Sequence, residues 1–241
     1  MSSIQDASKK TSFEIFNRIA KSYDSVNRIL SFGLDIGWRK KVNTLLPQRS
    51  NLRLLDLATG TADQVIMLCD LNNNIESAVG MDLSDEMLDI GREKVTRFNG
   101  RIHLENGDAV KLPIEDAQYD AVTISFGIRN VPDVPASMKE MYRVLKNDSK
   151  ALILEFSLPK NPIIRFGHLF YLRWVLPVVG GLISGDYEAY KYLNTSIEAF
   201  PYGDEFCNLL RDAGFETVTA HPVTFGIATI YEAHKQPHPS L

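Results

Sequence analysis

The chain has 241 residues, 44% of them hydrophobic, and a formal net charge of −4. That length supports the core of one large α/β domain, so a single domain over residues 1–241 is expected. The acidic balance, with no local basic patch, points away from nucleic acid. Cys69 and Cys207 fall in separate predicted helices without redox or metal spacing, so reduced core thiols and no metal are expected. The opening MSSIQDASKKTS lacks the apolar region of a secretory signal, and a cytoplasmic location follows as the expectation.

In chain order, residues 13–46 read as helical. Strand and helix signals then alternate in the manner of a parallel sheet with crossover helices. Strands are predicted over 53–57, 77–82, 102–105, 121–125 and 151–156. Helices are predicted over 63–71, from Ser84 to about 98, and from Pro135 through the apolar positions Met138, Met141, Val144 and Leu145. Residues 159–202 break this pattern with an aromatic, glycine-containing stretch expected to be an insertion. A helix over 204–212, ended by Gly214, and strands over 217–220 and 227–233 complete the core, before a tail expected to fray.

The most informative stretch is RLLDLATGTAD, residues 53–63. Leu54, Leu55 and Leu57 suit a strand buried on both faces, in which Asp56 is the one charge. Gly60 lets the backbone turn and approach a ligand, while Thr61 and Asp63 stand where a helix begins and can satisfy its free N–H groups. A dinucleotide loop needs two further glycines where this chain has Ala62 and Val65, which disfavours a pyrophosphate. A ligand with an adenosine end and no phosphate remains, of which S-adenosylmethionine is the common one.

Asp82 ends a strand 22 residues after Gly60, where an acid accepts from both ribose hydroxyls. A dipole partner for the next helix is the competing reading, and the glycine loop favours the ribose. Asp108, in NGDAVKLP, is placed to take the adenine amino group while the Ala109 backbone meets the ring edge; an ordinary turn aspartate is the alternative. Asp56 either faces the methionine amino end or is internally paired. In SFGIRNVPD, Arg129 and Asn130 come at the carboxyl edge of the sheet. There Arg129 would stabilise the phenolate of a bound quinol and Asn130 would orient a water or hydroxyl, unless Arg129 is a salt-bridged loop residue. Tyr23, Asp24 and Asn27 occupy neighbouring helical turns, and if the N-terminal helices form a lid, Tyr23 reaches substrate oxygen or water. The apolar run over 166–184 is free of charge only over 174–185, too short to span a bilayer. It reads as core packing, or as a tunnel or membrane-leaning surface for a long lipid tail.

The motifs LLDLATGTAD, GMDLSDEML, TISFGIRNVPD, MYRVLK, LEFSLP and YLNTSIEAFP, with YDSVNRILSFG and WR, make the chain resemble the ubiquinone/menaquinone biosynthesis C-methyltransferases over about residues 13–231. The nucleotide motifs are shared by many methyltransferases, whereas SFGIRN, EFS-x-P and YL-x-x-SI-x-x-FP are far more specific. The resemblance implies a Rossmann-like class I fold, α/β, with a mostly parallel seven-stranded sheet and helices on both faces. It also implies S-adenosylmethionine-dependent methylation of a ring carbon of a prenylated quinol, demethylmenaquinol to menaquinol foremost.

Carried over by motif, the cofactor contacts fall on Thr61, Asp82, Asp108, Ala109 and Ser125, beside Gly60 and Asp56 from the loop itself. The catalytic residues expected are Arg129, Asn130 and Tyr23. Two departures stand out: the family's GGTGD turn is TGTAD here, and its K-P-G-G turn is Lys146, Asn147, Asp148 and Ser149. The expected partners are a prenylated quinol and a transient membrane surface, at the inner face of the membrane, with a homodimer admitted and no nucleic acid. A methyltransferase of soluble small molecules, a nicotinamide oxidoreductase and a non-catalytic cofactor-binding scaffold are the competing functions.

Overall fold

The computed structural model describes residues 15, 17–20 and 22–236. The opening segment read for a signal, residues 13, 14, 16 and 21 of the expected N-terminal helix, and the tail from 237 onward lie outside the described residues. Seven strands form one sheet: β1 (Leu52–Leu57), β2 (Ile75–Asp82), β3 (Ile102–Asn106), β4 (Tyr119–Ser125), β5 (Leu145–Phe156), β6 (Thr217–Val223) and β7 (Ala228–Lys235). Their order is β3-β2-β1-β4-β5-β7-β6. The β1–β2, β1–β4, β2–β3 and β4–β5 pairs are parallel, and β7 runs antiparallel to both β5 and β6. The order reverses between β1 and β4, which opens a crevice at their carboxyl ends. Both strands are buried on both faces, and for that reason they read as apolar runs and not as alternating ones.

A first helix, α1, includes residues 22–30. It is followed by α2 (Leu34–Leu45), α3 (Asp63–Leu71), α4 (Asp85–Val95) and α5 (Val134–Val144). Trp38 and Val42 of α2 pack with Val65 and Leu68 of α3 on one side of the sheet. On the other, Met138 and Met141 of α5 meet Phe206 and Leu210, which belong to α9 (Asp204–Asp212). Ser84 caps α4 by accepting from the Met87 amide at 3.1 Å, and Asp133 caps α5 through Ala136 N–H at 2.9 Å.

The start of α3 differs from expectation. Neither Thr61 nor Asp63 caps it; the residue before the helix is Ala62, in the left-handed region at φ 69°. Both side chains are engaged elsewhere, Thr61 with Asp24 and Asp63 with Lys94 and Arg28. Ala62 therefore adopts the backbone conformation that the family's glycine would take more cheaply, and its methyl group is fully buried. At the second departure there is no free turn before the fifth strand. Residues 145–150 form the bulged first half of β5, with Asp148 at φ 55° and Lys146 paired to Asp120 at 2.9 Å.

The insertion is helical. α6 (Pro162–Phe170), a π-helical turn (Tyr171–Val175) and α7 (Leu176–Ser184) run into one another, and α8 (Tyr187–Ala199) returns alongside. Pro162–Ser184 is thus a 23-residue helix, long and apolar enough by length and composition to cross a membrane. This corrects the reading from the charge-free run: Arg165 and Arg173 interrupt that run without interrupting the helix. Leu172 and Leu176 pack with Val26 and Leu30 of α1 and with Tyr190 and Ile197 of α8, which joins the insertion to the N-terminal helix above the sheet's carboxyl edge.

Candidate active site

Two cavities meet at that edge. The first is polar and is lined by the loop after β1 together with Asp56, Asp82, Asp108, Ala109, Ser125 and Asn130. The second is an apolar chamber of about 500 Å³ between α1, α2 and the insertion, with Arg129 in its wall. Tyr23, Arg39 and Phe126 line both, so the cavities share a boundary.

Each acid in the polar cavity is held in place by the fold. Asp82 accepts from Gly60 N–H at 2.8 Å and from Ser84 N–H at 2.9 Å, one on each oxygen. Burial pushes its carboxyl up, and those two amides oppose the shift. The glycine loop and the β2 acid thus fix each other, and each oxygen retains acceptor capacity toward the cavity. Asp108 accepts from Val110 N–H through one carboxylate oxygen at 2.9 Å, an Asx-type turn. Asp56 is both internally paired and cavity-lining. It accepts from Thr59 and Thr123, and burial raises its carboxyl to about 6 against the pull of both hydroxyls.

Thr61 lines the cavity, and its hydroxyl donates to Asp24 of α1 at 2.6 Å. Ser125 donates to Gln64 Oε1 at 3.1 Å.

Arg129 is buried, donating to the Phe126 carbonyl at 2.6 Å and to Glu155 at 2.7 Å. Burial raises the Glu155 carboxyl and the guanidinium pulls it back. The arginine is thus salt-bridged, and it also lines the chamber, with its Nε buried and unpartnered among the described residues. Asn130, in the 3-10 turn Ile128–Asn130, accepts from Tyr192 of α8 at 3.1 Å. The Tyr23 phenol, raised by burial, feels both Arg129 and Arg39.

Three residues of this site have no role in the sequence reading. Gln64 is buried on α3, lines the polar cavity and bridges Arg39 and Ser125 through Oε1, with its Nε2 buried and unpartnered among the described residues. It falls on the inward face of α3 with Val65, Leu68 and Cys69, where a polar residue is as informative as Asp56 is in β1. Arg39 is the arginine of the WR motif, and its Nε has only a 3.9 Å ion pair to Asp35. Glu155 is a charge in a core strand, the same signal that singled out Asp56.

A sequence model of the ubiE/COQ5 methyltransferase family matches residues 4–235. This chain belongs to that family. A ubiquinone/menaquinone biosynthesis C-methyltransferase of Geotalea daltonii is 41% identical over 92% of this chain and 95% of its own length. A demethylmenaquinone methyltransferase of Bacteroides fragilis is 39% identical, covering 92% of this chain and 91% of its own. Among solved structures, a SAM-dependent methyltransferase of Thermotoga maritima superposes with TM-score 0.66 at 20% identity, over 93% of this chain and all of that one. One from Aquifex aeolicus gives 0.59 at 17% identity, over 81% and 88%. The fold is the class I methyltransferase fold, and the family uses S-adenosylmethionine.

The donor set suits that molecule. The carboxylates of Asp82, Asp108 and Asp56 are acceptors of the kind that a ribose diol, an adenine amino group and an ammonium would need, and Arg39 and Gln64 add N–H donors of the kind that a carboxylate would need.

Proposed function

We propose that this chain methylates a ring carbon of a prenylated quinol, demethylmenaquinol to menaquinol first, with S-adenosylmethionine as donor. The observation that carries the reading is the shared boundary of a polar, acid-lined cavity and a large apolar chamber, with Tyr23, Arg39 and Phe126 between them. When bound, the cofactor supplies a sulfonium methyl at that boundary. Everything else falls to the chain. Asp82, Asp108 and Asp56 orient the donor, and the chamber takes the tail and excludes water from the ring. Arg129, fixed by Glu155 and the Phe126 carbonyl, stabilises negative charge on a ring oxygen, with Tyr23 and Asn130 beside it.

The outer face of the insertion supports contact with a membrane surface. Ile163, Phe166, Phe170, Trp174, Val178 and Leu182 repeat every three or four residues and are all exposed, Ile163 and Leu182 by more than four-fifths. The opposite face of the same helix lines the chamber through Gly167, His168, Tyr171 and Leu172. Phe32 and Leu34 are exposed and line the chamber as well. A lipid surface against this stripe would deliver a tail directly to the chamber.

The test uses purified protein, methyl-labelled S-adenosylmethionine and either reduced or oxidised demethylmenaquinone in vesicles. Label should enter the lipid extract with the reduced form alone. Label confined to water-soluble phenols, or no turnover, overturns the reading. Phe166→Ser with Trp174→Ser should lower co-flotation with the vesicles at unchanged cofactor affinity; undiminished flotation would refute the surface assignment.

A further inference from the structure

Phe225 lines neither cavity, yet the backbone is bent to present it. It is 77% exposed, in the turn Thr224–Gly226 between β6 and β7. Thr224, Phe225 and Gly226 all stand in the left-handed region, at φ 45°, 57° and 87°, a conformation that is costly for the first two because they carry a Cβ. The surroundings hold the turn there. Trp38 Nε1 of α2 donates to Thr224 Oγ1 at 2.8 Å, Ser157 Oγ donates to the Gly226 carbonyl at 2.8 Å, and Ser157 N–H donates to the Ile227 carbonyl at 2.9 Å.

These bonds set the turn at the rim of the apolar chamber. Ile227, the residue after the turn, lines the chamber. Gly226 lies against Pro159, whose Cα would be 3.5 Å from an added Cβ, and Pro159 leads into α6, where Ile163 and Phe166 are exposed. A second exposed phenylalanine, Phe32, is also left-handed, at φ 52°; it lines the chamber, with its ring centroid 5.8 Å from that of Tyr171 in the insertion. Leu71 and Leu83 apart, every exposed large hydrophobic side chain among the described residues lies on α1, its connection to α2 through Leu34, the insertion or this turn. Exposed apolar side chains scattered singly need no explanation, whereas their concentration around one opening marks an interaction surface.

The charge around this opening is opposite in sign to that of the chain. Residues 156–185 carry Lys160, Arg165 and Arg173 and no acid, and residues 222–231 carry no charge at all, in a chain of net charge −4. Arg173 is paired with Glu198, but Lys160 and Arg165 are exposed and form no ion pair with a described residue. On the reading that the chamber takes its quinol from a membrane, we propose that the Thr224–Gly226 turn is a second anchor beside the insertion and that the two dock together on an anionic lipid bilayer. Phe225 enters the boundary between headgroups and acyl chains, and Lys160 and Arg165 meet lipid phosphates. A single helical stripe leaves the protein free to roll about the helix axis. A contact from a separate element removes that freedom and holds the chamber's opening toward the lipid that supplies the tail.

The experiment places an indole in the turn. Trp174→Phe keeps the stripe apolar and leaves Trp38, 4% exposed, as the remaining native indole. Phe225→Trp and, as a control, Leu71→Trp are then made separately in that background; Leu71 is exposed at the end of α3, just ahead of β2 at the sheet's amino edge. On vesicles of phosphatidylcholine and phosphatidylglycerol with brominated acyl chains, the Phe225→Trp protein should be quenched and blue-shifted, and the Leu71→Trp protein should not. Phe225→Ser in the otherwise native chain should weaken vesicle affinity about tenfold. Lys160→Gln with Arg165→Gln should weaken it about fivefold for each charge on these vesicles, and leave affinity for phosphatidylcholine alone unchanged. In all of these, S-adenosylhomocysteine affinity, thermal midpoint and turnover of a short-tailed quinol dispersed in detergent should stay at wild-type values. An indole at 225 that remains unquenched on vesicles carrying the protein overturns the second anchor. Equal wild-type affinity for neutral and anionic vesicles overturns the choice of lipid, and a dimer that Phe225→Ser dissociates at unchanged vesicle affinity gives the turn to a second copy of the chain instead. Wild type that binds no vesicle sinks the membrane reading itself, whereas quenching of Trp174 without quenching at the turn leaves that reading standing and removes this proposal alone.

Discussion

Asp56 should have opposite effects on stability and on binding. Its carboxyl rises from 3.8 to about 6, chiefly through burial, with Thr123 and Thr59 pulling the other way. A raised folded value means the folded state holds the proton more tightly than the unfolded chain does. The stabilisation is complete below the unfolded value and is lost as pH climbs from about 4 through 6, roughly 3 kcal/mol at about 1.4 per unit. Cofactor binding runs the other way, since only the carboxylate attracts an ammonium group. S-adenosylhomocysteine affinity measured calorimetrically should therefore weaken as pH falls below about 6, and Asp56→Asn should bind weakly at every pH while becoming relatively more stable at neutral pH. A wild-type affinity that is flat from pH 5 to 8 would remove Asp56 from the ligand. The sequence made this acid visible because a charge in a core strand is costly. Glu155 carries the same signal, but its partner Arg129 is 26 residues away and only the fold brings them together.

At the level of elements, the crossover units were legible because their periods are clean. β1, α3 and β2 start and end within about two residues of the expected bounds, and α4 starts where Ser84 caps it but ends at Val95, with a 3-10 turn over Thr96–Phe98 in place of its expected last residues. The insertion was not legible in this way. Its long helix has one apolar face against the chamber and another exposed, so no single hydrophobic stripe emerges from the sequence, and the π turn at Tyr171–Val175 shifts the register between its halves. What fixes the helix against α8 is close approach at Gly180, where an added Cβ would lie 2.4 Å from the Tyr190 ring. Gly180→Ala should destabilise by about 1–3 kcal/mol through overpacking, and because Tyr190 lines the chamber, it should also raise KM for the quinol while leaving cofactor affinity alone. Gly167→Ala, on the same long helix, meets nothing within 4 Å and should be neutral to stabilising by roughly 0.5–1 kcal/mol. Equal thermal midpoints for the two variants would refute the packing account.

Across the whole molecule, α1 and α2 each reach both cavities, through Tyr23 and Arg39, and the attachment of α1 to the Rossmann core is polar. Asp24 accepts from Thr61 of the loop and pairs with Lys94 of α4, and Lys94 also holds Asp63 at 2.8 Å. The next turns of α1 bring Tyr23 to the shared boundary and Asn27 into the chamber. This linkage crosses 70 residues of sequence between Asp24 and Lys94, which is why the sequence could place Tyr23 and Asp24 on a lid but not say what latches it. If α1 acts as a lid, held by a loop that takes one ligand and lining the pocket for the other, the two affinities should be interdependent, and linkage requires the factor to be the same in both directions. Lys94 is the informative position, because it lines neither cavity and its replacement touches no ligand. In Lys94→Met, the factor by which a bound non-reactive quinol analogue strengthens S-adenosylhomocysteine binding should shrink toward one, from the 5–150-fold range typical of coupled sites. Each affinity alone should fall less than the coupling does, and the thermal midpoint should drop only slightly for a partly exposed ion pair. Coupling that survives in this variant, with α1 still closed, would mean that the apolar packing of Val26 and Leu30 against Leu172 and Leu176 holds the lid without the latch.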